Sequence, residues 1–397
     1  MVPGMDTELQ PPSGEVNEQA GSASRVEAPL RDPAEIEAYH RAKRTVHIGG
    51  IVFSLAYWGA VAFAATDMLE GLRASVSNPW LGLVCGVMIF LVLKTVIELP
   101  LDYYAGYVLE KRFDLTNQTP GQWFVFQLKG WLVGGVIGLI VLCGLFGLLW
   151  HGGALWGVWA WLGLMVLSVG LAKIFPLLIL PIFYPAKALD RPALIGRLER
   201  LAEGTGLKIT GVYDLELSKD TKKANAMLAG MGATRRVYLS DTLLQAFNDD
   251  QIAVVFAHEL GHHIRKHIYK GIALSAVVSS IMMALVHWRL TPFAGDPSQW
   301  ASAVAAFPSV VLAVTVYSLL VSPITNAISR RFEYQCDSDA LRLTNDPTAY
   351  RQAFDLLGRL NLGDPNPPRW EEVLFDDHPA LAKRIAMADK YEAGALA

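Results

Sequence analysis

The chain has 397 residues, 52 % of them hydrophobic and 18 % charged, with a formal net charge of −3 and a mean hydropathy of +0.31. Soluble domains carry about 25 % charged residues, so this balance excludes a disordered protein and argues against an ordinary cytosolic enzyme. The slight negative charge gives no general case for a nucleic-acid partner, and three scattered cysteines (Cys85, Cys143 and Cys336) make neither a disulfide framework nor a Cys-based zinc site.

Residues 1–40 are polar and rich in Pro, Gly and Ser, and read as a disordered N-terminal tail. No secretory signal peptide is visible there, because the first apolar run starts near residue 45. From that point long apolar runs alternate with polar stretches, at about 45–66, 79–101, 122–149, 154–182, 268–289 and 302–325. Crossing about 30 Å of hydrocarbon needs roughly 20 apolar residues. One such run could be a buried core helix; six of them predict a polytopic membrane protein. A re-entrant or additional segment near Pro176 and Pro181 would make seven.

Positive charge sets the orientation. Arg41, Lys43 and Arg44, then Lys111 and Arg112, the Lys/Arg-rich stretch 183–267, and Arg330 and Arg331 fall in alternate connections. Six spans with both termini in the cytoplasm satisfy every loop. Lys94, Glu98, Asp102, Lys129 and Lys173 lie in or near the runs. They read as paired or snorkelling side chains, or as the lining of a watery interior; Lys94 and Glu98, four apart, share a helix face.

The polar middle predicts a small α/β unit. Residues 193–206 read as an amphipathic helix, 208–217 as a strand, and 224–239 as a hairpin around Gly230-Met231-Gly232. Asn248 followed three residues later by Gln251 is a capping-box pattern, and it starts the helix that carries His258-Glu259-Leu260-Gly261-His262. The chain therefore divides into a tail (1–40), N-terminal transmembrane helices (41–185), a catalytic α/β region (186–267), two further transmembrane helices (268–325) and a C-terminal catalytic region (326–397).

H-E-x-x-H on a helix stacks two imidazoles on one face, where both can bind a single zinc ion. Glu259 is then placed to act as general base toward a water activated by the metal. Chains of this composition meet the pattern by chance in roughly 1 % of cases; two surface histidines are the bland alternative. His263 and His267 read as interfacial groups or as supports behind the ligands. A catalytic zinc site needs a third protein ligand. Glu333 and Asp337, one helical turn apart after the last run, are the candidates, Glu333 on the metal and Asp337 on a ligand's free ring N–H. Pairing of both carboxylates with Arg330 and Arg331 is the alternative on spacing alone.

Several motifs in order then carry a resemblance over most of residues 45–390: Leu99-Pro100, Glu110-Lys111-Arg112-Phe113 with Gln118-Thr119, Lys223-Ala224-Asn225-Ala226, the H-E-x-x-H, Glu333-Tyr334-Gln335 with Asp337, and His378-Pro379 with Arg384. The chain resembles the type I CAAX prenyl endopeptidases, integral-membrane gluzincin metallopeptidases with HtpX-like proteases as relatives. The resemblance implies a mainly α-helical polytopic membrane protein with a small α/β zincin-like catalytic domain, and helices around a hydrophilic chamber. It implies one Zn2+ on His258, His262 and Glu333, with Asp337 behind the ligands. Asn225, on an edge strand, and His378 would contact substrate and stabilise the oxyanion, and Arg384 would support them. The implied partners are the lipid bilayer and a peptide or protein substrate, prenylated or membrane-associated, bound by β-augmentation.

Cys336 stands where this family usually has Ala. The last residues, Gly394–Ala397, carry no endoplasmic-reticulum retrieval signal, which favours a bacterial inner membrane with the catalytic site on the cytoplasmic side. Three rival readings fit the sequence less well. A site-2-type intramembrane protease needs a Leu-Asp-Gly motif that the chain lacks, and a transporter would be expected to show an inverted repeat. A catalytically silent zinc-binding scaffold or chaperone would not need the full set of catalytic residue types. Asn117-Gln118-Thr119 reads as an accidental glycosylation pattern on the cytoplasmic side. The sequence carries no signal that sets an oligomeric state.

Overall fold

A computed structural model describes residues 30–230 and 235–396. Six of its helices are long and apolar enough to cross a membrane: α1 (Pro33–Ser75), α2 (Pro79–Arg112), α3 (Pro120–His151), α4 (Gly153–Phe183), and two more C-terminal to the middle region. Their faces are mostly unburied within the protein, as expected of helices solvated by lipid.

Local chemistry sets several boundaries. Helix α1 starts at Pro33, with Asp32 accepting a hydrogen bond from the Ala34 N–H, so residues 33–40 are helical rather than part of the predicted tail; residues 1–29 lie outside the described residues. Asn78 caps α2, and Thr119 with Gln122 forms a full capping box on α3. Helices α3 and α4 meet at Gly152-Gly153, where Gly153 takes φ +66°, a conformation that favours glycine. Near Pro176 the chain does not re-enter: a π-helical turn, Phe175–Ile179, absorbs the proline and the helix continues to Phe183.

The middle of the chain folds as β1 (Ala186–Ala188), α5 (Pro192–Glu203), β2 (Val212–Leu215), β3 (Ala226–Ala229), β4 (Arg236–Ser240), α6 (Asp241–Ala246) and α7 (Asp249–Ile264). The strands form one sheet in the order β1-β2-β4-β3. Strand β2 runs parallel to β4, and β1 and β3 pair antiparallel to their neighbours. The predicted strand over 208–217 shortens to β2, and the hairpin is β3–β4; Met231 and Gly232 of its turn lie outside the described residues. Strand β3 has β4 on one side only and is therefore a sheet edge. Helix α7 carries the Asn248–Gln251 capping box and buries Ile252, Val254, Phe256 and Leu260 against Leu194, Leu198, Leu239 and Leu243.

Lys266 adopts φ +56° and separates α7 from the fifth spanning helix, α8 (His267–Leu290). The sixth is α9 (Trp300–Thr344), 45 residues in one helix, about 67 Å at 1.5 Å per residue. It does not stop where its apolar run ends near 325. It leaves the membrane as a continuous rod and packs along α7. Within the membrane, Gly82 and Gly86 of α2 let Trp300 and Val304 approach so closely that an added Cβ would lie within 3 Å of either side chain. Helices α10 (Pro347–Asn361), α11 (Arg369–Leu374), α12 (Leu381–Ile385) and α13 (Met387–Glu392) complete the α/β unit.

The polar ends of the spans are tied to that unit. Arg44 of α1 pairs with Glu371, Lys223 with Glu110 at 2.6 Å, and Lys222 with Asp114 at 2.6 Å. Lys94 and Glu98 on α2 form an ion pair within the apolar run, which offsets the cost of burying either charge alone.

Candidate metal centre and active site

Helices α7 and α9 meet almost backbone to backbone. A Cβ on Gly261 would lie 3.0 Å from Cys336 Cα and 3.2 Å from its Cβ and Sγ, so glycine at 261 and a small residue at 336 set the spacing. That contact brings Glu333 between the two histidines of α7. Its Oε2 lies 3.2 Å from His258 Nε2 and its Oε1 lies 3.2 Å from His262 Nε2. His258 and Glu333 are buried, and His262 is partly so.

Two further residues brace the cluster. His258 donates from Nδ1 to Asp337 Oδ1 at 2.9 Å. Arg384 grips the same carboxylate bidentately, Nε to Oδ2 at 2.9 Å and Nη2 to Oδ1 at 2.7 Å, and its guanidinium lies over the Phe354 ring, 4.4 Å from the centroid. Burial alone would raise the Asp337 carboxyl, but the Arg384 charge and the His258 hydrogen bond hold it below the usual carboxylate range. Arg330 takes no part: its Nη1 donates to the carbonyls of Glu372 and Asp376. The alternative in which Glu333 pairs with Arg330 is therefore not the arrangement found.

The donor set fits a metal. One atom each from His258, His262 and Glu333 lie within 4.8 Å of one another, and the buried Glu333 Oε2 has no hydrogen-bond partner. Ligands about 2.0–2.1 Å from a tetrahedral ion lie about 3.3 Å apart, and each imidazole Nε2 lies 3.2 Å from one of the two Glu333 oxygens. A buried carboxylate oxygen left unbonded is costly, and a cation between it and the imidazoles removes that cost.

Beside the cluster is a cavity of about 460 Å³ lined by Glu259, Asn225, His378, Arg384 and Asn361, among others. His378 reaches it from the segment between α11 and α12, with Nε2 3.4 Å from Glu333 Oε2 and Nδ1 2.7 Å from Asp377 Oδ1. The Asp377 hydrogen bond holds the imidazole above its usual pKa against the opposing effect of burial. Asn225 directly precedes β3, with its backbone N–H bonded to Ser240 Oγ at 2.9 Å and its carbonyl accepting from the Ser240 N–H at 2.9 Å.

The eight residues the sequence names as ligands or catalytic groups thus lie on the candidate cluster or the cavity beside it, whereas His263 faces away, with its Nε2 3.1 Å from the Leu228 carbonyl. Others were not foreseen. Asn361, the last residue of α10, clamps Ala224 on both backbone groups: Ala224 N–H donates to its Oδ1 at 2.8 Å and its Nδ2 donates to the Ala224 carbonyl at 3.1 Å. Glu372 accepts from the Ala380 N–H at 3.2 Å and pairs with Lys383, anchoring the segment that carries His378. Asp377 had a local signal, adjacency to His378; Asn361 and Glu372 had none.

Residues 188–392 match the family model described as peptidase family M48, and residues 30–185 match that described as CAAX prenyl protease N-terminal, five membrane helices. The chain belongs to peptidase family M48. As a member of M48 it is a membrane metallopeptidase that acts on peptide or protein substrates. In the N-terminal region four candidate spans are found among the described residues. Relatives include an uncharacterized metalloprotease of Bacillus subtilis, 27 % identical over 338 residues, covering 84 % of this chain and 79 % of that one. CAAX prenyl protease 1 of Saccharomyces cerevisiae is 26 % identical over 412 residues, covering 93 % and 89 %. The crystal structure of S. mikatae Ste24p superimposes with a TM-score of 0.78 at 22 % identity, over 93 % of each chain, and shows that the fold is shared.

Proposed function

We propose that this M48 protein is a zinc endopeptidase whose metal is held by His258, His262 and Glu333, and which cleaves extended peptides at the cytoplasmic face of a bacterial inner membrane. The observation that carries the reading is the convergence of that ligand set with Glu259, Asn225 and His378 on one cavity beside a sheet edge. A zinc ion there supplies Lewis acidity to the scissile carbonyl and lowers the pKa of a water.

The chain's own residues do the rest. An incoming peptide adds to the free edge of β3, where backbone groups give affinity without demanding a sequence. Asn225 lies at the start of that edge and offers its side chain to the substrate carbonyl. Glu259 takes the proton from the attacking water and passes it to the leaving amine. His378, oriented by the Asp377 hydrogen bond to its Nδ1, presents Nε2 to the oxygen on which negative charge develops, as preorganised groups do in oxyanion holes. Arg384 and Asp337 orient His258 and would keep its Nε2 lone pair toward the metal.

The cytoplasmic assignment is supported by Arg44 of α1 and Arg330 of α9, which flank the apolar runs of those helices and bond residues of the α/β unit on one side of the bundle. The similarity to CAAX prenyl proteases supports a lipid-modified or membrane-associated substrate. The test is cleavage of one peptide, with and without a C-terminal prenyl group, by the purified protein and by Glu259→Ala. Cleavage by wild type alone supports the reading. Equal cleavage by both proteins overturns it.

A further inference from the structure

The geometry points to His267 as the positioning residue that fixes the metal-binding tautomer of His262. This inference rests on the proposed ligand set and gives a specific role to His267, which the sequence leaves as either an interfacial group or a support behind the ligands.

A ligating imidazole binds metal through one nitrogen and presents an N–H on the other, and the partner of that N–H decides which nitrogen is free. For His258 the partner is Asp337. His262 has no carboxylate in that place: its Nδ1 lies 3.3 Å from Nδ1 of His267. Two facing imidazole nitrogens bond only if one donates and the other accepts. The far side of His267 bears on which. Its Nε2 lies 3.0 Å from Gln335 Oε1; with the amide oriented this way its oxygen accepts, the proton of neutral His267 sits on Nε2 and Nδ1 is a lone pair. His262 Nδ1–H therefore donates to His267, and His262 Nε2 is left free 3.2 Å from Glu333 Oε1. The path runs from His262 through His267 to Gln335, on the same helix as Glu333.

The surroundings hold His267 to this task. It is 4 % exposed, and its ring stacks on Phe332 at 4.1 Å with a 10° interplanar angle. It is the first residue of α8, directly after Lys266, whose φ of +56° turns the chain back beside His262. A left-handed conformation at a non-glycine residue is unfavourable, and the packing around His267 offsets it. Cys336 Sγ lies 3.6 Å from the same Nδ1; it is a weak sulfur donor beside a nitrogen one, and the bond from His262 is the stronger. The two histidine ligands thus differ: His258 is backed by an anion and His262 by a neutral imidazole ending on an amide.

The test replaces His267 in the full-length, detergent-purified protein and measures zinc affinity by competition with a chromophoric chelator. Asn places its amide oxygen near the position of Nδ1 and preserves an acceptor for His262. Gln reaches instead toward Nε2, and Phe keeps the stacked shape with no acceptor. His267→Phe and His267→Gln are expected to weaken zinc binding on the order of 10–100-fold, and His267→Asn to stay within about threefold of wild type. Thermal unfolding of the zinc-free proteins reports folding separately, and should His267→Phe fail to fold, the Asn and Gln pair decides alone. Loss in His267→Asn as large as in His267→Gln overturns the proposal, as does wild-type affinity in both. Tight binding by wild type together with unaffected variants leaves the ligand set standing and removes only His267. Absence of zinc binding by wild type removes both.

Discussion

Substitution Gly261→Ala tests whether the backbone contact between α7 and α9 holds the metal ligands in register. The new Cβ would lie 3.0 Å from Cys336 Cα and 3.2 Å from its Cβ, and neither atom can rotate away. Ordinary contact starts near 3.4 Å, so the helices must part by several tenths of an ångström. His258 and His262 flank position 261 on one helix, and Glu333 and Asp337 flank 336 on the other, so the separation acts directly on the ligand distances. Metal sites tolerate about 0.2 Å in those distances. Alanine in place of a helical glycine gains about 1 kcal/mol of helix propensity, whereas overpacking costs about 1–3 kcal/mol, so global stability should fall by no more than about 2 kcal/mol. Zinc affinity should fall by about tenfold or more. Chelator competition measures the second quantity and thermal unfolding of the zinc-free protein the first. Cys336→Ala in the Gly261→Ala background should not restore affinity, because the nearest atom is Cα. Wild-type affinity in Gly261→Ala would refute the argument.

Asp337→Asn removes the charge that Arg384 and His258 share; breaking a buried ion pair costs about 3–5 kcal/mol, and zinc affinity should fall together with thermal stability. A stable variant with unchanged affinity would contradict the role given to Asp337. Asn361→Ala frees Ala224 and loosens the start of the β3 edge, so KM for a peptide should rise several-fold with less change in kcat, read from steady-state kinetics; a fall in kcat at constant KM would count against this. Glu372 gives a pH prediction. Burial would raise its carboxyl, but the Lys383 and Ala380 hydrogen bonds hold it below the usual range. Its contribution is fully present above the unfolded value of about 4.3 and is lost as pH falls through the lower folded value. Hydrogen-exchange protection of residues 376–384 should therefore decline in acid in wild type, and Glu372→Gln should be less protected at neutral pH and lose less on acidification.

The parts of the fold most legible in the sequence were those written in local pattern. Six apolar runs gave six helices of spanning length, and Asn248 with Gln251 marked the start of α7. The separation of Glu333 and Asp337 by one turn anticipated that both would face α7. The start of α1 was legible too, since Asp32-Pro33 with Glu35 is a helix N-terminus pattern, but the polar composition of the first 40 residues masked it. Strand β1 is three residues long, too short for alternation to register. The continuity of α9 from the membrane to Glu333 and Asp337 was hidden because its apolar run ends about 20 residues before the helix does. The Asn361 clamp and the His267–Gln335 bond join residues distant in the chain, where spacing carries no information; His267 itself was legible as an interfacial group or a support behind the ligands, and the Glu372 anchor spans an irregular segment that has no periodicity to read. The Gly261–Cys336 contact belongs with them: the need for small residues at both positions becomes visible only once the helices are packed.

That the H-E-x-x-H cluster works as a hydrolytic zinc centre with Glu259 as its base is tested by zinc content and peptide cleavage measured on the same preparations of wild type and Glu259→Ala. One zinc per chain is expected in both, with cleavage by wild type and none above background by the variant. Cleavage by Glu259→Ala at the wild-type rate, or active wild type that carries no metal, would contradict it.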